Sequence, residues 1–219
     1  MADLEGVLKL LLEAVEASQS SAVSEPAPAP KGIGVGISNR HIHISQEDLN
    51  VVFGEGYKLT PIKDLSQPGQ FACKEVVTIC GPKGAIEKVR VLGPVRSKTQ
   101  VEILAGDSFK LGVRAPARMS GDLENTPGIT IIGPNGSVQT KEGLVVAQRH
   151  IHMHPADAEQ YDVRDGQLVS IKLDGARGGV FSNVAIRVST EAALEFHIDT
   201  EEANAMSIAP STTVEIAKV

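Results

Sequence analysis

Only two of the 219 residues are cysteine, Cys73 and Cys80, and they form no C-x-x-C pair. A disulfide scaffold and a cysteine-built zinc site are therefore excluded, and a reducing cytosol is the expected compartment, with both thiols serving as small buried or half-buried residues. Long apolar runs are missing too. No stretch approaches the roughly 20 residues that span a bilayer, and the N-terminus lacks a basic segment followed by an uninterrupted apolar core. The expectation is a protein neither exported by a standard signal peptide nor embedded in a membrane. Net positive charge is absent as well: the formal charge is −6. That makes general nucleic-acid binding a poor reading. With 42% hydrophobic and 22% charged residues, wholesale disorder is excluded, and one or two globular domains are expected.

The charge is unevenly spread. Between Lys58 and Lys98 eight basic residues face three acidic ones, a local +5 that leaves −11 for the remainder. A basic stretch in an acidic chain suits a small polyanionic ligand.

Residues 1–18 differ from the rest of the chain. Leu4, Val7, Leu8, Leu11, Leu12 and Val15 recur at helical spacing against Asp3, Glu5, Lys9, Glu13 and Glu16, which predicts an amphipathic helix. Residues 19–30 form a Ser/Ala/Pro tract with no means of building a core, and read as a flexible linker. A helix this short wants a partner surface, so the segment suggests docking.

From Lys31 onward short β-branched runs alternate with glycine and proline. Val76–Cys80 and Ala85–Leu92 flank Gly-Pro-Lys-Gly as a predicted hairpin, and Ile129–Ile132 leads into Gly-Pro-Asn-Gly in the same way. Leu168–Leu173, Val184–Val188 and Thr213–Val219 supply further strands. Strands at this spacing point to a sandwich or barrel. Brief helices are expected from Ser45 through Phe53, from Pro155 through Tyr161, and after Asp199. The tetrapeptide Arg-His-Ile-His occurs twice, at 40–43 and 149–152, each time closing an apolar strand.

The chain's six histidines are His41, His43, His150, His152, His154 and His197. In a strand, residues i and i+2 share a face about 6.6 Å apart, so each His-x-His offers two imidazoles to one cation. Zinc is the leading choice, since neutral imidazole suits it and a three-ligand site leaves one position for substrate. Arg40 and Arg149 fall on the opposite strand face, where salt bridges are expected.

Ser38-Asn-Arg-His-Ile-His-Ile-Ser45, Val89-Arg-Val-Leu-Gly-Pro-Val-Arg96, Thr99-Gln-Val-Glu102, Gln148-Arg-His-Ile-His-Met153 and the run from His197 to Ala205 resemble the phosphate propanoyltransferases, phosphotransacylases of bacterial microcompartments. The resemblance covers nearly all of residues 31–219. It implies a mainly β fold of two β-barrel domains with strand exchange and short capping helices, residues 31–39 joining 148–219 in one barrel and 40–147 forming the other. It implies reversible exchange of a short acyl group between coenzyme A and inorganic phosphate at a pair of zinc ions. One zinc would rest on His41, His43 and Glu102, the other on His150, His152 and His197. Arg96 would be the catalytic, phosphate-gripping residue. Coenzyme A would contact Ser38, Lys63, Arg90, Leu92, His197 and Asn204. No Ser/His/Asp set argues for an acyl-enzyme, so direct phosphate attack in a ternary complex is preferred over a carrier role for Cys73 or Cys80. His154 departs from the family, which more often has a small polar residue there, and could be a bystander or a competing ligand. Residues 1–18 resemble encapsulation segments, implying microcompartment shell or cargo proteins as partners and a place inside a compartment of the bacterial cytoplasm, with room for a homo-oligomer.

Two rivals stand beside this reading. His41-x-His43 followed by Glu47 and Gly54 imitates the first motif of a single-metal cupin. A non-catalytic coenzyme- or metal-binding module of a compartment would also accommodate the histidines.

The terminal segment yields a first test. Deleting residues 1–27 should leave turnover per folded protein little changed while giving a smaller, more soluble species, measured by light scattering. A reporter fused to residues 1–27 should be packaged in compartment-forming cells, and Leu8→Glu with Leu12→Glu should abolish packaging. An inactive truncated enzyme with a diffuse reporter would refute the docking role.

Overall fold

The computed structural model describes residues 32–217. The expected helix at 1–18 and linker at 19–30 lie outside the described residues.

The two-residue repeat of apolar side chains governs the architecture. Strand β1 (Ile33–Ser38) sends Ile33 and Val35 into a core, and β2 (His41–Ser45) sends Ile42 and Ile44 into another. After β2 come helix α1 (Gln46–Phe53), β3 (Pro61–Asp64), β4 (Phe71–Gly81), β5 (Gly84–Arg96), β6 (Gln100–Glu102), helix α2 (Asp107–Leu111) and β7 (Ala117–Arg118). Then come β8 (Thr130–Ile132), β9 (Ser137–Gln139), β10 (Leu144–Ala147), β11 (His150–Met153), helix α3 (Pro155–Gln160) and β12 (Leu168–Leu173). The chain continues through β13 (Gly179–Val188), β14 (Glu195–Asp199), helix α4 (Thr200–Ala205) and β15 (Thr213–Ile216).

Strands β1-β14-β11-β13-β12-β15 close into a barrel, shut by the antiparallel pairing of Ile33 with Val214. The other nine strands form a second sheet, in the order β7-β10-β6-β2-β5-β4-β8-β9 with β3 on β4. The mainly β, barrel-based expectation holds, with the second barrel present as a curled sheet that does not close. Strand exchange is visible in the first two strands: β1 belongs to the C-terminal barrel and β2, two residues later, to the other sheet.

Each sheet has its own core. Phe196, Ile33, Ile151, Met153 and Ile171 are fully buried in the barrel; Ile42, Ile44, Ile79, Val91 and Leu144 are fully buried beneath the second sheet. Both predicted hairpins form, β4–β5 across Gly81 and Gly84 and β8–β9 across Gly133–Gly136. The second requires glycine at 133, because a Cβ there would lie 2.4 Å from the Val52 carbonyl oxygen. The expected helices form where their caps predicted. Ser45 Oγ accepts from Asp48 N at 3.1 Å, and Asp199 accepts from Glu202 N while Glu202 accepts from Asp199 N. Among the described residues no helix is long and apolar enough to cross a membrane.

Truncating Phe196 to alanine should cost about 3–5 kcal/mol, because its neighbours on the closed barrel wall have little freedom to collapse into the void. Urea unfolding followed by circular dichroism checks this, and a loss under about 1 kcal/mol would contradict such rigid packing.

Candidate functional site

All five side chains of β2 are buried, although a strand has only two faces. Ile42 and Ile44 occupy the core side, so alternation puts His41 and His43 on the other. The repeat unit behaves alike: in β11 Ile151 and Met153 enter the barrel core, and His150 and His152 turn away from it. Register then completes each group. Antiparallel pairing sets His41 opposite Glu102 of β6, and His150 opposite His197 of β14.

The result is two groups of three donors, His41/His43/Glu102 and His150/His152/His197, whose ligand-type atoms lie within 4.8 Å of one another in each group. Both line one cleft of about 530 Å³ between the two sheets. His41 Nδ1 donates to Asn39 O at 2.8 Å and His150 Nδ1 to Gln148 O at 2.8 Å, which leaves Nε2 as the lone-pair nitrogen of each ring. His41 Nε2 is 3.3 Å from Glu102 Oε2, and His150 Nε2 is 3.0 Å from His152 Nε2. His43 Nδ1 is buried without a hydrogen-bond partner.

Burial keeps most of these rings neutral. It pulls His43 down to about 3, His150 to about 4 and His152 to about 3, with neighbouring imidazoles or Arg96 adding to the effect. His41 moves the other way: burial opposes its charge, but the Glu102 carboxylate outweighs it. Burial likewise opposes the charge on Glu102, yet His41, His43 and Arg96 hold it well below the usual carboxylate range. Neutral imidazoles and an ionised carboxylate are the donor forms a divalent cation requires, and the unpaired buried nitrogen of His43 fits the same use.

Of the remaining expected site residues, Ser38, Arg90, Leu92 and Arg96 line the cleft. Parallel pairing places Arg90 beside His41 and Leu92 beside His43. Arg90 Nη1 is already engaged, donating to Cys73 O and Lys74 O at 2.9 Å each. Lys63 on β3 and Asn204 on α4 are exposed and lie outside the cleft lining. His154 is exposed and caps α3, its Nδ1 accepting from Ala156 N at 3.2 Å, as Ser45 caps α1 in the first repeat. Arg40 and Arg149 find their salt bridges: Arg40 Nε to Asp107 at 2.7 Å, and Arg149 Nε to Glu202 at 2.9 Å.

Two cleft residues, Arg187 and Ser120, escaped the sequence reading. Arg187 pairs in register with His152 and so shares its face, and among the described residues no ion pair or side-chain hydrogen bond neutralises it. Ser120 Oγ accepts from Arg96 Nη1 at 2.9 Å and from Gln100 Nε2 at 2.9 Å, leaving its own hydrogen to donate. Gln100 in turn donates to Glu102 at 2.6 Å, so one chain of contacts links Arg96 to the first triad.

The phosphate propanoyltransferase family model matches residues 34–209. The chain belongs to that family. It is 63% identical over 169 residues to the phosphate propanoyltransferase of Thermotoga maritima, covering 77% of this chain and 80% of the relative. It is 52% identical over 181 residues to that of Rhodopseudomonas palustris (83% and 80%), and 50% identical over 205 residues to that of Priestia megaterium (94% of both). As a member of this family the chain is an acyltransferase and a phosphotransacylase. The cupin imitation fails on geometry as well, since Glu47 is exposed on α1 and the carboxylate beside His41 is Glu102. Neither cysteine lines the cleft, and burial pushes the Cys73 thiol up to about 11, with Glu75 assisting.

Neutral buried imidazoles make stability pH-dependent. Unfolded histidines take protons near pH 6.5, whereas His43, His150 and His152 refuse them until about pH 3–4, so the unfolded chain binds more protons in between. Stability should be fully present above pH 6.5 and fall as pH drops toward 4, on the order of 1.4 kcal/mol per pH unit for each proton. His41, with its raised value, opposes only part of this. Urea midpoints between pH 7 and 5 with a chelator present check it, and His43→Asn should flatten the slope.

Proposed function

We propose that this phosphotransacylase moves a short acyl group between coenzyme A and inorganic phosphate at a two-zinc site, by direct attack in a ternary complex. The observation that carries the reading is the facing of two three-donor groups across one cleft that also holds Arg96. His₂Glu and His₃ are zinc-binding sets that leave a position open, and zinc bound there would supply Lewis-acid polarisation and offset anionic charge.

In this reading Arg96 grips phosphate with its planar fork. Burial and the neighbouring Arg187 lower the affinity of the Arg96 guanidinium for its proton, with Glu102 acting oppositely, so a bound anion relieves repulsion between two confined cations. The Ser120 hydroxyl donates to the same anion. Held in line, a phosphate oxygen attacks the thioester carbonyl carbon, the C–S bond breaks, and coenzyme A departs as a thiolate that takes a proton from solvent; the acyl phosphate remains. Ser38, Arg90, Leu92 and His197 would meet the coenzyme at the cleft, while Lys63 and Asn204, exposed outside the lining, would reach its more distant parts. The basic stretch from Lys58 to Lys98 contains Lys63, Arg90 and Arg96, as a substrate bearing several phosphates favours.

The domain reading is part of the same proposal: residues 31–39 with 148–219 would make up the closed-barrel domain, and 40–147 the domain built on the curled, open sheet. Residues 1–18 would dock the enzyme to shell or cargo proteins, placing it inside a microcompartment of the bacterial cytoplasm.

Coenzyme A thiol release from acetyl-CoA and propionyl-CoA should require phosphate and stop on zinc removal by a strong chelator. Arg96→Lys should raise KM for phosphate at least about 10-fold with a smaller change for coenzyme A, since one charge remains but the fork is lost. His152→Ala should lower bound zinc and turnover together. Cys73→Ala and Cys80→Ala should remain active. Wild-type phosphate kinetics in Arg96→Lys would assign the anion to another residue, and a dead, folded, zinc-loaded cysteine variant would restore the acyl-enzyme.

A further inference from the structure

Glu195 stands beside the second triad without being one of its three donors. Antiparallel register puts it opposite His152, and the two-residue repeat of β14 puts it on the same face as His197. His197 Nε2 donates to Glu195 Oε2 at 2.5 Å. That bond commits one ring nitrogen as a donor and leaves Nδ1 as the lone-pair nitrogen. The pair is tightly framed. A Cβ on Gly36 would lie 2.8 Å from Glu195 Cδ and 2.9 Å from His197 Cδ2, so only glycine at 36 admits this arrangement.

Glu195 is also held from the opposite sheet. Ser66 Oγ donates to Glu195 Oε2, and Gln67 Nε2 stands 3.5 Å from the same oxygen. Gln67, only 5% exposed, grips the backbone just before β14: its Nε2 donates to Ala193 O at 3.0 Å and its Oε1 accepts from Ala193 N at 3.3 Å. Residues 66 and 67 lie between β3 and β4 of the second sheet, so contacts made by one sheet fix a carboxylate in the other. His41 and His150 are oriented differently, each by a backbone carbonyl two residues upstream.

We infer that Glu195 is a positioning residue that sets the tautomer and ring plane of His197, and that Ser66 and Gln67 hold Glu195 for this task. The metal affinity of the second triad is then controlled from the sheet that carries the first. A carboxylate behind a ligating histidine typically carries 10–100-fold in metal affinity. The inference rests on the two-zinc reading of the cleft.

The test is zinc competition against a chromophoric chelator on the full-length chain. Wild type should show two tight equivalents. Glu195→Gln should weaken one of them about 10–100-fold and leave the other unchanged, a split that general loosening of the fold would not produce. Ser66→Ala, which removes one hydroxyl from an exposed loop residue, should weaken the same equivalent by a few fold with an unaltered thermal midpoint of the metal-stripped chain; it serves also if Glu195→Gln misfolds. Cobalt(II) in place of zinc should keep its visible band intensity in Glu195→Gln. Two equivalents of wild-type affinity in both variants would overturn the inference. A change in cobalt coordination would overturn it too, by making Glu195 a ligand. A wild-type chain that takes up no zinc would instead overturn the two-zinc reading, and the inference with it.

Discussion

The site depends on a strand that is buried on both sides. A β-strand divides its side chains between two faces, and His-Ile-His can place two imidazoles together only if the isoleucines anchor the other face. Ile42 and Ile44 do this on β2, and Ile151 and Met153 on β11. A one-residue slip would carry the histidines into an apolar core and the isoleucines into a polar cleft. Hydrophobic burial therefore fixes the strand register, and that register assembles both triads: Glu102 opposite His41, His197 opposite His150. The same burial that positions the rings strips them of water and disfavours their protonated forms, so packing and ligand chemistry have one cause.

Duplication extends this logic. Each copy of Arg-His-Ile-His ends in a capped helix, through Ser45 in one and His154 in the other. Each arginine leaves the histidine face to meet an acidic residue of a short helix, Asp107 of α2 or Glu202 of α4. These pairs are partly exposed, and their contribution to global stability is modest. Their value is local, because a forked guanidinium held by Asp107 at both 2.7 and 3.0 Å leaves the backbone just before the histidine pair little freedom. Exchange of β1 into the barrel then makes the link at Asn39 and Arg40 pass directly between the sheets, beside the cleft that both line.

The legible parts of the molecule were those written in local sequence. Strand alternation, Gly-Pro turns, the Ser45 and Asp199 caps and the doubled histidine motif all act over a few residues, and the structure carries them. Cross-strand partners are a different matter. No spacing within the residues pairs Glu102 with His41, 61 positions away; the family resemblance alone named it. Arg187 and Ser120 had no local mark at all, since one arginine or serine among many becomes special only when register sets it next to His152 or Arg96. His154 shows an ambiguity that sequence alone left open. A third histidine at strand spacing could be a bystander or a further ligand, and the structure gives it another task, because the strand ends at Met153 and His154 caps the helix that follows.

Charge bookkeeping along the chain also conceals what the cleft does. A protein of net charge −6 places Arg187 close enough to Arg96 to add to the burial that disfavours the Arg96 charge, and of these two arginines only Arg96 has a hydrogen-bonding side-chain partner among the described residues, the neutral Ser120. Confined like charges are costly in a low-dielectric site, and a carboxylate partner would ordinarily be found beside them. Arg40 and Arg149, which serve the fold, have such partners. Arg90, Arg96 and Arg187, the cleft arginines without an ion-paired carboxylate, keep an electrostatic deficit that an anion can fill. Under the proposed function, the contrast between arginines with and without a carboxylate partner would divide structural from substrate-facing cations, and it rests on contacts that no count of lysines and arginines along the sequence contains.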